Sequence, residues 1–339
     1  MNILVTGGCG FIGTNFIYYM LHEHDHTIIN LDKLTYAGNL KNLISVEGRY
    51  NGQRYFFEKG DICDTPQVMN ILKEYEIDAV VNFAAESHVD RSISAPDQFI
   101  ESNIQGTYSL LTASSKAGIK RFIQVSTDEV YGSLGPEGLF TEESPLAPNS
   151  PYAASKASAD LLCRSFFKTY GFPVIVTRCS NNYGPFQFPE KLVPLSFLRA
   201  KEDRPVPVYG TGSNVRDWIY VSDHCRGIDL CLRKGRPGAI YNFGGDAEYE
   251  NLDVIKKILD IMGKSYKLIK FVKDRPGHDQ RYAMDYSLAK DELGFEPQVR
   301  FSEGLELTIN WYLKNEEWVD GIKSGEYIEF MEKWYKERS

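Results

Sequence analysis

Three groups of residues in this chain have the types and spacing for chemistry. The first is Thr127-Asp128-Glu129, a hydroxyl and two neighbouring carboxylates directly after the apolar run 121–126. If that run is a strand of an open parallel sheet, the carboxylates stand at its carboxyl end, where such sheets hold their ligands. The second is Gly7-Gly8-Cys9-Gly10-Phe11-Ile12-Gly13, in which Gly8, Gly10 and Gly13 fit the G-x-G-x-x-G fingerprint. Such glycines permit a tight turn and a close approach of backbone to pyrophosphate, with free N–H groups at the helix start. Asp32 ends the next apolar run, roughly 20 residues on, where an acid hydrogen-bonds a ribose 2′-hydroxyl and repels a 2′-phosphate. NAD rather than NADP is therefore expected. The third group is Tyr152 and Lys156, one turn apart on one face of a helix that Ser150 caps and Pro151 opens.

The elements that must hold these groups alternate. Strands are predicted at 2–6, 27–31, 54–58, 79–83, 121–126 and 174–177, with helices from the glycines to about Leu21, over 66–75, over about 96–118, and from Pro151. Residues 135–151 read as a loop. This rhythm implies an α/β fold, a doubly wound parallel (Rossmann) sheet with right-handed crossovers. After about 185 the rhythm breaks, as in a smaller C-terminal α+β substrate-binding lobe. The expected division is 1–185 plus about 222–245 for an NAD-binding domain, and 186–221 plus about 246–339 for the other.

The 339 residues carry a formal net charge of −8, with 42% hydrophobic and 25% charged residues. That balance speaks against a nucleic-acid or anionic-membrane partner. No apolar run reaches the ~20 residues of a membrane span. The six scattered cysteines form no C-x-x-C pair, so neither a zinc site nor a disulfide framework is expected. Met1 leads straight into a strand, and a cytoplasmic location is expected. His22, His24 and His26 resemble a metal cluster but lie between helix and strand, where a solvated connection is the expectation.

Thr6-Gly7-Gly8-x-Gly10-Phe11-Ile12-Gly13 together with Tyr152-x-x-x-Lys156 resembles the extended short-chain dehydrogenase/reductase superfamily. Within it, Ala84-Ala85-Glu86-Ser87-His88-Val89-Asp90-Arg91-Ser92, Ser126 to Gly132, Asn181 to Pro185, Phe188 to Leu192 and Asp274 to Asp279 resemble the dTDP-glucose 4,6-dehydratases, in register from about Asn2 to Trp311. The resemblance implies oxidation at C4 of a hexose, loss of water across C5–C6, and return of the hydride to C6 with NAD regenerated. It implies Tyr152 as base to the C4 hydroxyl, lowered by Lys156 and the nicotinamide, and Thr127 on the C4 oxygen. Asp128 becomes the acid to the C6 hydroxyl and Glu129 the base to the C5 proton. Adjacent side chains on a strand face opposite ways, so a backbone bend is expected there.

By the same resemblance Gly7, Gly10, Phe11, Ile12, Gly13, Asp32, Lys33, Leu34, Thr35, Asp61, Ile62, Ala84, Ala85, Ser102 and Asn182 line the NAD site, with Tyr152 and Lys156. Ser102 stands where the family often has Thr and keeps the hydroxyl. The nucleotide-sugar meets His88, Asn181, Lys191, Leu192, Pro207, Val208, Tyr209, Asn251, Asp274, Pro276 and Gly277, with Arg216, Arg275 and His278 as a diphosphate clamp. A homodimer through helices near 96–118 and 151–170 is implied too. Other readings remain open here: the same dehydration of UDP-glucose, a GDP-mannose dehydratase or UDP-glucuronate decarboxylase of closer mechanism, a nucleotide-sugar 4-epimerase, and a non-catalytic NAD sensor. An epimerase has no use for Asp128 and Glu129, and a sensor none for the catalytic set.

Overall fold

The computed structural model describes residues 1–322 together with Trp334 and Tyr335; the remainder of the expected second lobe, 323–333 and 336–339, lies outside the described residues. Apolar, largely β-branched runs form the strands β1 (Asn2–Thr6), β2 (Thr27–Asp32), β3 (Tyr55–Lys59), β4 (Ala79–Asn82), β5 (Arg121–Thr127) and β6 (Val174–Cys179). β7 (Asn181–Tyr183), β8 (Val206–Tyr209), β9 (Val215–Tyr220), β10 (Ile240–Phe243), β11 (Glu248–Glu250) and β12 (Ile269–Val272) follow. A seven-stranded sheet runs β10-β6-β5-β4-β1-β2-β3, parallel throughout. β1, β4, β5 and β6 are buried almost end to end, as sheets covered by helices on both faces require.

Strand order reverses between β1 and β4, which opens a crevice at their carboxyl ends. A buried polar chain ties the strands there. Thr6 Oγ1 donates to Asn82 Oδ1 (2.6 Å) and Asn82 Nδ2 to Gln124 Oε1 (2.8 Å), crossing from β1 through β4 to β5. On one face of the sheet Phe16, Ile17 and Met20 of helix Phe11–Glu23 share a core with Cys225, Ile228 and Cys231 of helix Val221–Lys234. On the other, Ile71, Leu110, Cys163 and Phe166 close the second core. β7, β9 and β11 form a small sheet and β8 pairs with β12; Tyr183, Trp218, Phe301 and Tyr312 pack together behind them.

Three local features depart from the sequence reading. The helix expected over 96–118 is broken into Asp97–Phe99, a π-helical stretch Ile100–Gly106 and an α-helix Thr107–Ala117. Its buried Asn103 is held in place by the backbone of Glu86, accepting from its N–H (2.9 Å) and donating to its carbonyl (3.0 Å), and by Ser155 Oγ (2.8 Å). A short helix Val89–Ser94 was not legible; His88 caps it, Nδ1 accepting from the Arg91 N–H at 3.2 Å. Of the three histidines only His22 is exposed, while His24 Nε2 lies 3.2 Å from the buried Asp229.

Candidate active site

The glycine turn is built for close approach. A Cβ on Gly7 (φ +69°) would lie 2.7 Å from Ala84 N, and one on Gly13 2.4 Å from Gly7 O. At Gly10 it would meet only Gly7 O, at 3.3 Å, so the space in front of that residue is open. Gly10 starts helix Phe11–Glu23 with no side-chain cap, leaving N–H donors for an anion. Asp32 is fixed by two backbone donors, the Cys9 N–H to Oδ2 and the Leu34 N–H to Oδ1, each at 2.8 Å. Lys33 pairs with Asp61 at 2.6 Å. An uncapped helix start, an open glycine and a fixed acid at the next strand end suit a dinucleotide's pyrophosphate and ribose.

These residues line a cleft of ≈ 320 Å³. Gly7, Gly10, Phe11, Ile12, Gly13, Asp32, Lys33, Thr35, Asp61, Ile62, Ala84, Ala85, Ser102 and Asn182 all face it, as do Thr127, Asp128, Glu129, Tyr152 and Lys156. Leu34 does not; its contribution is the N–H that fixes Asp32.

β5 ends at Thr127, and the chain turns at once into a 3₁₀ turn, Asp128–Tyr131. This is the expected bend. Thr127 Oγ1 accepts from the Glu129 N–H (3.2 Å) and donates to Asp128 Oδ1 (3.1 Å), so one hydroxyl caps the turn and orients the acid. Burial and then Glu129 push Asp128 well above the usual carboxylate range. Burial also raises Glu129, but Arg275, Lys191 and Arg216 oppose it. Both carboxyls are raised by burial, but a neighbouring anion adds to the rise at Asp128 while three cations counter it at Glu129.

Tyr152 and Lys156 come from helix Pro151–Tyr170, whose start is fixed by the Ala153 N–H donating to Ser150 Oγ at 3.1 Å. The sequence reading expected Lys156 to lower the Tyr152 phenol. In the protein alone, without the nicotinamide that the same expectation included, burial, Glu129, Cys179 and Asp128 push it above its ordinary value, and the Thr127 hydroxyl opposes them. The Lys156 ammonium turns to the Val125 carbonyl, at 2.7 Å.

The expected nucleotide-sugar residues divide. Asn181, Lys191 and Leu192 face the cleft, and Lys191 Nζ donates to the Ser87 carbonyl at 2.7 Å. His88, Pro207, Val208, Tyr209, Arg216, Asn251, Asp274, Arg275, Pro276, Gly277 and His278 do not line it. Val208 is core, packed with Ile255 and Leu259, and Asn251 opens helix Asn251–Ile261. Of the others, Tyr209, Arg216, Asp274, Arg275 and His278 form a polar, charged cluster beside Asp90, next to the helix that His88 caps. Buried Asp90 accepts from Tyr209 (2.6 Å) and Arg275 (3.0 Å). Arg216 donates to the Asp279 carbonyl at 2.9 Å and lies 4.4 Å over the Tyr282 ring. Gly277 (φ +64°) sits where a Cβ would be 2.5 Å from Asn149 O, so only a glycine lets the 274–278 loop pass this close to the 135–150 loop. His278 Nδ1 donates to Asp274 Oδ1 at 2.6 Å, and burial with Arg275 and Arg216 lowers His278 to about 4. It is neutral at neutral pH, so any diphosphate clamp draws its charge from the arginines.

Two cleft carboxylates escaped the sequence reading. Glu86 and Glu190 are both buried and both line the cleft, and Glu190 accepts from Tyr36 at 3.1 Å. Their only sequence signal was position, Glu86 after Ala84-Ala85 and Glu190 before Lys191.

Residues 4–308 match the family model described as GDP-mannose 4,6 dehydratase. A dTDP-glucose 4,6-dehydratase of Xanthomonas campestris pv. campestris is 51% identical over 342 residues, covering 96% of each chain. Among solved structures, the dTDP-glucose 4,6-dehydratase DesIV of Streptomyces venezuelae, with NAD and TYD bound, superposes with a TM-score of 0.92 at 47% identity, over 95% of this chain and 100% of that one. A dTDP-glucose 4,6-dehydratase of Bacillus anthracis in complex with NAD gives 0.88 at 50% identity, with the same coverage.

Proposed function

The chain belongs to the dTDP-glucose 4,6-dehydratase family, and from that premise we propose how its residues convert dTDP-glucose to the 4-keto-6-deoxy sugar. The observation that carries this reading is that one cleft holds a glycine turn fit for NAD, the Tyr152–Lys156 pair, and two carboxyls with opposed surroundings. Bound NAD supplies the hydride acceptor for oxidation at C4 and the donor for reduction at C6. The cofactor is held by the open backbone at Gly10, by Asp32 and by the Ala84-Ala85 strand end.

Tyr152 takes the C4 hydroxyl proton, and Thr127 donates to the oxygen as it becomes a carbonyl. The phenol's raised value makes Tyr152 a strong base once ionised; Lys156, one helical turn away, is the cation we assign to favour that ionisation. With C4 a ketone, the C5 proton is acidic. Glu129 removes it and Asp128 protonates the departing C6 hydroxyl, so the pair act on adjacent carbons from one 3₁₀ turn. Lys191, Arg216 and Arg275 carry the charge for the diphosphate.

We assign residues 1–185 and about 222–245 to the cofactor-binding domain and the rest to the nucleotide-sugar lobe; β10 beside β6 supports this. A homodimer forms through the helices near 96–118 and 151–170, where Ile100, Tyr108, Leu161 and Tyr170 expose half or more of their surface. The location is cytoplasmic: six free cysteines suit a reducing compartment, and no described helix is long and apolar enough to cross a membrane.

The test is mass spectrometry of dTDP-glucose incubated with the protein in D₂O without added NAD. Loss of one water with deuterium at C5 is expected. A C4 epimer of unchanged chemical formula, or turnover of UDP-glucose in preference, overturns the assignment.

A further inference from the structure

Tyr152, Lys156 and Asp160 occupy successive turns of one helix face, and all three are buried. Residues four apart on a helix have Cβ atoms about 5–6 Å apart. A buried ammonium needs a compensating anion. Lys156 has only a neutral acceptor in the Val125 carbonyl. The other titratable groups acting on it, Cys179 on β6 and Cys163 on its own helix, are thiols that burial pushes up and so keeps uncharged. Asp160 is the remaining anion, and it is the largest influence opposing the burial that drives Lys156 down.

Asp160 is itself matched across the sheet. Burial raises the Asp160 carboxyl, and Arg178 on β6, whose Nε donates to its Oδ2 at 2.9 Å, is the largest influence favouring its charged form, followed by the Ser126 hydroxyl of β5 and Lys156 itself. The Arg178 guanidinium lies 4.7 Å over the ring of Tyr131, the last residue of the turn that carries Asp128 and Glu129. From their own side, Glu129, Asp128, Thr127 and Cys179 face Tyr152. Buried ion pairs are commonly no more stabilising than apolar residues of equal volume, so stability alone gives little reason for this one.

We propose that Asp160 is a positioning residue for the oxidation step: its carboxylate, shared with Arg178, keeps the buried Lys156 charged beneath Tyr152. The proposal rests on the roles given above to Tyr152 and Lys156. Its test uses Asp160→Asn, the neutral double variant Asp160→Asn with Arg178→Met, and the charge-conserving Asp160→Glu. Each is followed by the pH dependence of reduced-nicotinamide formation in a single turnover and by thermal melting. The double variant is needed because Asp160→Asn alone leaves Arg178 buried without its partner.

The double variant is expected to fold, to match the parent at low pH, where Lys156 is charged in both, and to oxidise substrate roughly tenfold more slowly as the pH rises through its lowered Lys156 value. Asp160→Glu is expected to keep the parent profile. A folded double variant with the parent profile overturns the proposal; a double variant that cannot fold assigns the pair to stability and overturns it too. Tyr152→Phe, run alongside, separates the two levels: oxidation at the parent rate there refutes the underlying assignment itself.

Discussion

Replacing Asp128 with asparagine separates what this carboxyl does for turnover from what it costs the fold. The side chain is 2% exposed, its Oδ1 accepts from Thr127, and its Oδ2 has no hydrogen-bond partner among the described residues. Asparagine has the same shape but no acidic proton. Loss of a positioned general acid lowers turnover by about 10²–10⁴, or about 3–5 kcal/mol of barrier. Oxidation at C4 precedes elimination and does not use this proton, so reduced nicotinamide should build up in a single turnover instead of vanishing.

Stability should move the other way. Burial and Glu129 make Asp128 hold its proton to higher pH in the folded chain than in the unfolded one. The native state is therefore the better proton binder between those two values, and it loses stability as pH rises through that window. The amide escapes this loss, so urea unfolding should show the variant gaining on the parent as pH increases. Product formation within tenfold of the parent rate would refute the acid role. A stability difference that does not change with pH would refute the electrostatic account of the site.

Three further outcomes are expected. Gly13→Ala places a Cβ 2.4 Å from the Gly7 carbonyl, a backbone clash of about 1–3 kcal/mol, and the purified variant should carry markedly less NAD by absorbance. Asp32→Asn turns one of two acceptor oxygens into a donor facing a backbone N–H, at about 1–3 kcal/mol; a lower melting temperature and weaker NAD retention should appear together. His224 is held neutral by burial, its value lowered from 6.5 to about 3. The unfolded chain takes up that proton first, so stability is lost as pH falls from about 6.5 towards 3, and His224→Gln should flatten the dependence in urea titrations between those limits.

Local signals carried much of this molecule. β1, the glycine turn and Asp32 are contiguous apolar or glycine-rich text, and the pairing of Tyr152 with Lys156 follows from helical spacing alone. The bend at Asp128 was inferable because two adjacent side chains had to serve one ring. Partners distant in sequence were not inferable. Asp90 meets Arg275 across 185 positions, and no periodicity announces that. Neither was the sign of the Tyr152 environment, which is decided by how deeply the side chain is buried and by two carboxyls on another element. Nothing in the sequence turned Glu86 and Glu190 toward the cleft; the fold does.

The π stretch at Ile100–Gly106 bears on the history and redesign of this chain. A π turn is an α-helix that has absorbed one extra residue without unravelling. Deleting a residue there would restore regular geometry and swing everything before it by ~100° about the axis. Asn103 would then leave the Glu86 backbone and Ser155, and Ser102 would turn from the cleft. The irregularity is thus a phase marker: a relative one residue shorter at this point must secure its Glu86 strand end by other means. An engineer who idealised the helix for stability would detune the cleft while improving every local score.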